Sequence, residues 1–277
     1  MQNILLKALK LLRRNVAKFP VNGNAFCTAC GSQIGRFLPY RGGWKGAPSL
    51  MIKLEIIGSD LDRFGCPKCG SHDRERHLML YFEKFGIWEK FSGAKILHFA
   101  PEPILSKKIT DCQPLDYILA DLYPTELRIK KVDIQNMPFE ACRFDFVICN
   151  HVLEHVDDDF KALTEIYRVL KEGGLAILQT PYSARLKTTF SDPGIDSDNL
   201  RLELYGQEDH VRLFGSDIVS RFESCGLRAR LAWHECELSH IDPSRYGVNV
   251  REPFFMFEKK TAADNAVANA HIQASAA

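Results

Sequence analysis

The amino-acid sequence predicts an α/β protein, a doubly wound and mainly parallel sheet with a small cysteine-bearing segment ahead of it. Three observations predict it. From residue 95 onward, short apolar runs alternate with stretches of helical periodicity, the pattern of strands covered on both faces by helices. Two C-x-x-C-G sequences, at 27–31 and 66–70, bracket a stretch rich in Gly, Pro and aromatic residues. The composition, 277 residues with 45% hydrophobic and 26% charged, is that of a globular chain with a sizeable core. No apolar run approaches the roughly 20 residues that cross a bilayer. The net charge of +1 argues against a nucleic-acid binder held by bulk positive potential.

Taken in order, residues 1–20 read as a basic amphipathic helix. Ile4, Leu5, Ala8, Leu9, Leu12 and Val16 share helical spacing, Lys7, Lys10, Arg13, Arg14 and Lys18 carry the charge, and Pro20 ends it. Such a helix packs on the body or touches an anionic membrane surface; packing is the commoner outcome. Residues 24–70 form the cysteine-bearing segment. A linking helix over 71–93, capped by Ser71 and stopped at Gly86, carries Leu78, Leu80, Tyr81 and Phe85. The main domain spans 94–260, with strands expected at 95–100, 117–122, 129–133, 144–150 and 175–180. Asp157 caps a helix with Phe160, Leu163, Tyr167 and Leu170 on one stripe, closing at Gly173-Gly174. Residues 182–210 are polar and poorly periodic. Ser216 caps a further helix ending at Gly226, and 227–233 and 254–258 supply two late strands. The tail 261–277, rich in Ala, Asn and Ser, is expected to be disordered.

The nine cysteines are an odd number, and Lys and Arg interrupt the N-terminal apolar residues, against a secretory leader. A reduced, cytoplasmic protein that uses some cysteines for metal is the expectation. Each C-x-x-C turn sets two thiolates on one side of a loop, and the following Gly lets backbone amides approach the sulfurs. Cys27, Cys30, Cys66 and Cys69 together make the four sulfurs of a structural zinc ribbon with no open coordination position. Cys112, Cys142, Cys149, Cys225 and Cys236 read as small buried residues.

In doubly wound sheets, ligands bind at the carboxyl ends of the strands, so the residues just after each strand decide function. The run from Asp133 to Pro181 carries Pro138-Phe139, Phe144-Asp145, Val152-Leu153-Glu154-His155-Val156, Arg168-Val169-Leu170 and Gly173-Gly174 in order. It resembles the central segment of class I S-adenosylmethionine-dependent methyltransferases of the type 11 group. The resemblance spans about 94–260 and implies a seven-stranded Rossmann-like methyltransferase sheet with a last antiparallel strand near 254–258. It implies S-adenosyl-L-methionine as cofactor, with Asp121 on the ribose, Asp133 and Ile134 beside the adenine, and Asn150 and His151 facing the methionine part and substrate. The family's acid and G-x-G-x-G loop after the first strand is replaced by His98-Phe99-Ala100-Pro101-Glu102-Pro103. Ala100 is the small residue in the first Gly position, and Glu102 falls in the same loop. This loop, the paired cysteines and the run from Gly206 to Gly215 resemble a smaller bacterial subgroup.

Methyl transfer is an in-line displacement that needs alignment and, for a weakly acidic nucleophile, a base. His210 and His151 are the candidate bases, Arg212 the candidate anchor for an anionic group of a small or glycan-like acceptor. His155 reads as a packing residue. His151-Val-Leu-Glu154-His155 spells the inverted zinc-protease motif, but it directly follows a strand and lacks the long helix that chemistry needs. Two other readings stand beside the enzyme: a non-catalytic methyltransferase-like scaffold that binds a partner through its ribbon, and an RNA methyltransferase. The scattered Arg36, Arg41, Lys45, Lys53, Arg63 and Lys68 argue against RNA. Arg74, Arg76 and His77 at the start of the linking helix are further candidates for contact with an anionic substrate.

Overall fold

The computed structural model describes residues 24–261 together with Asn15, Ala17 and Lys18. Those three are helical, and the carbonyl of Ala17 accepts from Gly35 N at 2.9 Å. The rest of the expected N-terminal helix, its membrane contact, and the tail beyond Thr261 lie outside the described residues.

The cysteine-bearing segment opens with the hairpin β1 (Ala25–Cys27) and β2 (Ser32–Ile34), followed by β3 (Ile56–Ile57). The main sheet begins with β4 (Lys95–Phe99), β5 (Asp116–Asp121), β6 (Lys130–Lys131), β7 (Phe144–Cys149) and β8 (Leu170–Ile177). Short β9 (Tyr182–Ser183) precedes the last two strands, β10 (Leu227–Ala229) and β11 (Met256–Lys259). The seven-stranded order is β10-β11-β8-β7-β4-β5-β6. The inner strands pair parallel, while β11 pairs antiparallel with β8 and β10. Chain order reverses at β4, so the carboxyl ends of β4, β5 and β7 open a crevice there.

Strand alternation builds two cores. Leu97, Phe99, Val147, Cys149, Ala176 and Phe257 face the helices Asp159–Val169 and Ile218–Glu223. Ile96, Phe146, Ile148, Ile177 and Phe254 face the helices Asp73–Lys84, Ile87–Phe91 and Pro103–Asp111. Phe254 stacks on Tyr81 at 5.1 Å between ring centroids and meets Phe82 edge-on at 6.1 Å, which anchors the helix Asp73–Lys84 to the sheet.

The second core does not stop at the sheet. Cys27, Ile34, Phe37 and Cys66 belong to the same contiguous cluster, so the cysteine-bearing segment shares its core with the sheet. Arg76 ties the two together. Wholly buried, its guanidinium donates to the carbonyls of Arg63, Phe64, Ser71, Tyr246 and Gly247 and lies 3.8 Å from the Phe37 ring. β3 then pairs with β9, carrying the early segment onto the loop after β8.

Several expectations shift. The polar stretch 182–210 contains the helix Asp198–Tyr205, capped by the Ser197 hydroxyl and stopped at Gly206. The helix Asp73–Lys84 is capped at His72, not Ser71, whose hydroxyl instead lies 3.3 and 3.2 Å from the sulfurs of Cys27 and Cys69. The helix Asp159–Val169 buries Ala162, Leu163, Ile166 and Val169, while Phe160 lies outside under the Arg221 guanidinium at 3.9 Å. It ends before the glycine pair, because β8 begins at Leu170 with a bulge opposite β7. Of the five cysteines expected in the core only Cys149 is buried; Cys142 and Cys236 are exposed.

Candidate active site

A cleft of about 440 Å³ occupies the crevice at the carboxyl ends of β4, β5 and β7. Its walls include Ala100, Asp121, Asp133, Ile134 and His151, five of the residues expected to act there. A larger depression of about 810 Å³ lies at the opposite strand ends, around Ala94, Asp145 and Gly173, away from the switch point.

The loop after β4 is shaped without glycine. Ala100 sits at φ +46, a left-handed conformation that L-residues adopt at a cost of about 1–2 kcal/mol. His151, the second residue after β7, has φ +56. Two left-handed non-glycine residues thus flank the cleft on adjacent strands, the kind of local strain that clusters at functional sites. Asp121 Oδ1 accepts from Tyr123 N at 2.8 Å, and Asp133 Oδ1 from Gln135 N at 2.8 Å. Each turn fixes its carboxylate through one oxygen and leaves the other for a ligand. Ile134, Val152 and Val156 supply an apolar wall.

Glu102 and Asn150 do not line the cleft. Tyr117 OH lies 2.8 Å from His98 Nδ1, His98 Nε2 lies 2.9 Å from Glu102, and Asn150 Nδ2 donates to Glu102 at 3.3 Å. Burial opposes charge on Glu102, but the hydrogen bond and charge of His98 bring its pKa below the ordinary carboxylate range. The chain of side chains braces the loop that carries Ala100; it does not present itself to a ligand.

Arg212 is also turned away. Its guanidinium donates to the carbonyls of Leu153 (2.7 Å), Val156 (2.5 Å) and Asp157 (2.8 Å) and lies 3.6 Å from Asp159. It is a buried clamp on the loop after β7, and the expected anchoring of an acceptor does not fit this geometry. Arg76 is likewise engaged in the core, and His77 is packed against His234 at 2.9 Å. Sequence spacing placed these cations near the site but gave no side-chain direction.

His210 lies in the run 205–212, which Arg212 and the bond from Val211 N to Glu154 O (2.9 Å) hold against the loop after β7. Its Nδ1 is 3.1 Å from the Tyr205 carbonyl. Burial lowers the pKa of His210, and burial with the nearby Arg74 lowers that of His151, so both are neutral imidazoles at neutral pH. His210 opens on a second cavity of about 330 Å³, whose walls include Tyr40, Trp44, Phe64, His72 and Arg74. Sequence reasoning did not find this cavity: its aromatic residues and His210 come from distant segments that β3–β9 pairing brings together.

The four paired cysteines converge. Their sulfurs lie within 4.8 Å of one another, and Cys27 and Cys69 are 3.7 Å apart. That separation matches the edge of about 3.8 Å in a tetrahedron with ~2.3 Å metal–sulfur bonds. Gly31 and Gly70, at φ +65 and +80, close both turns by donating to the carbonyls of Cys27 and Cys66 at 2.8 and 2.9 Å.

Residues 105–178 match the protein family described as "Methyltransferase domain", a stretch that contains Asp121, Asp133, Ile134, Asn150 and His151. Among solved structures, the chain is similar to a SAM-dependent methyltransferase from Archaeoglobus fulgidus (14% identity, 68% of this chain and 95% of that one, TM-score 0.44). It is also similar to the YcgJ protein of a Bacillus species (16% identity, 65% and 99%, TM-score 0.43). No curated protein matches the chain. The fold assignment rests on the strand order itself. Among the described residues no helix is long and apolar enough to cross a membrane.

Proposed function

We propose that the protein is an S-adenosyl-L-methionine-dependent methyltransferase with a structural zinc site, acting on a glycan-like or other small acceptor. One observation carries it: the stretch that matches the methyltransferase family, residues 105–178, contributes Asp121, Asp133, Ile134 and His151 to the walls of the crevice at the strand ends. The residues fit the cofactor's parts. Asp121, held by its turn, takes the ribose hydroxyls. Ile134 and the valines flank the adenine, with Asp133 at its amino edge. Ala100 in its left-handed conformation brings backbone close to the cofactor, as a glycine would.

The cofactor supplies an electrophilic methyl on sulfonium. The chain's own work is to align the acceptor and take up its proton while the methyl leaves sulfur for the nucleophile. His151 lines the cofactor cleft with its Nδ1 3.6 Å from Glu154 Oε1, and its Nε2, without a hydrogen-bond partner, is left able to accept that proton. His210 stands on the acceptor side. Tyr40 and Trp44 offer ring surface to a sugar-like body, with Phe64 stacked on His72 at 4.2 Å and tilted against Tyr40 at 4.7 Å, and Arg74, whose buried Nε lacks a partner, offers charge to an anionic substituent. The four cysteines hold zinc, closed to substrate, and the buried Arg76 cation offsets the negative charge of the Cys27, Cys66 and Cys69 thiolates.

Calorimetric titration of S-adenosylhomocysteine into the full chain tests the enzyme reading. Binding that weakens at least tenfold in Asp121→Ala is expected. No binding by the unaltered chain would leave a methyltransferase-like scaffold in its place.

A further inference from the structure

Between the two cavities lie Glu154 and His155, to which the methyl-transfer reading gives no role. Glu154 is 1% exposed; its Oε1 meets His151 Nδ1 only at 3.6 Å, and its Oε2 has no hydrogen-bond partner. An anion in that position is expensive unless a cation or donors compensate it. Around it stand His155, His210 and His151, the last 3.6 Å from Glu154 Oε1. One ligand atom each from Glu154, His155 and His210 lies within 4.8 Å of the others.

The imidazoles are oriented for a ligand. His210 Nδ1 is 3.1 Å from the Tyr205 carbonyl and His155 Nδ1 is 3.2 Å from the Asp209 carbonyl. A carbonyl only accepts, so each Nδ1 carries the proton and each Nε2 keeps its lone pair. Histidines that bind metals are held in this way, the distal N–H donating to a carbonyl. The two rings meet edge to face at 4.7 Å between centroids. His155 and His151 border the cofactor cleft, and His210 borders the second cavity.

We propose that Glu154, His155 and His210 form a binding site for a first-row divalent transition cation, set between the two cavities with coordination positions open to an acceptor oxygen. Two imidazoles and one carboxylate suit such ions better than Mg²⁺ or Ca²⁺, which prefer oxygen alone. The incomplete protein ligand set is that of an open site, in contrast to the closed cysteine cluster. His210 then serves as a ligand, and His151 remains the base. The role between cofactor and acceptor rests on the proposed function; the binding of the ion does not.

Co²⁺ is the probe, added without cofactor or acceptor to the full chain with zinc on its cysteines. Equilibrium dialysis counts the bound ion. Visible absorption separates nitrogen and oxygen ligation from the intense thiolate charge transfer that displacement of zinc at the cysteines would give. The site predicts one Co²⁺ per chain without thiolate bands, and a rise in Tm on addition. Glu154→Gln, which keeps shape and removes charge, and His210→Ala should each weaken binding at least tenfold with zinc content unchanged. No bound Co²⁺, thiolate bands alone, or equal binding in the unaltered chain and folded Glu154→Gln overturns the proposal. Because no cofactor is present, this outcome is independent of S-adenosylhomocysteine binding.

Discussion

At the scale of single residues, strain and burial set the behaviour of the site. Ala100 holds a left-handed backbone where glycine would be unstrained. Ala100→Gly should therefore leave thermal stability unchanged or raise it by about 1 kcal/mol, and retain cofactor binding. Ala100→Val should cost several-fold in affinity for S-adenosylhomocysteine, read by calorimetry. His77 gives a pH prediction. It is fully buried, and burial pulls its pKa down to about 3. Unfolding returns it to about 6.5, so the unfolded chain binds more protons between those values and stability falls as pH drops through that window. Asp73 and Glu75, raised by burial to about 7, act oppositely as pH falls from 7 toward 4. The clean measurement is therefore a comparison: His77→Leu should show a smaller loss of Tm than the unaltered chain between pH 6.5 and 3. Parallel losses would remove His77 as the titrating group.

At the scale of elements, strand ends were legible and side-chain directions were not. Ala100, Asp121, Asp133, Ile134 and His151 could be placed on one cleft because each follows a strand whose period fixes its position. Glu102, Asn150 and Arg212 sit just as close in sequence, yet rotate into braces for the loops. The helix Asp198–Tyr205 escaped detection because it buries only Tyr205, and an exposed helix leaves little apolar pattern. The helix Asp73–Lys84 depends on Phe254, which clamps it through Tyr81 and Phe82. Phe254→Ala should cost about 3–5 kcal/mol in denaturant unfolding. A loss below 1 kcal/mol would show that the aromatic stack is not what holds this helix.

At the scale of the whole molecule, the two-part division read from the sequence becomes one body with a continuous core. The C-x-x-C pairs identify their own convergence, since short spacing and following glycines are local features. The second cavity needs β3–β9 pairing and the packing of 205–212 on the loop after β7, which no local pattern encodes. The shared core implies that Cys66→Ser, besides removing one ligand of the proposed zinc site, should lower the Tm of the whole chain in one transition. A separate early transition with the main Tm unchanged would show the cysteine-bearing segment melting alone.

The central claim is that the crevice at β4, β5 and β7 holds the cofactor. A crystal structure of the chain with S-adenosylhomocysteine tests it most directly. Cofactor held in this crevice would set its ribose on Asp121, its adenine against Ile134 and its sulfur toward His151. Ligand seated instead in the depression around Ala94, Asp145 and Gly173, or crevice residues in contact with no part of it, would show that this crevice is not the cofactor site.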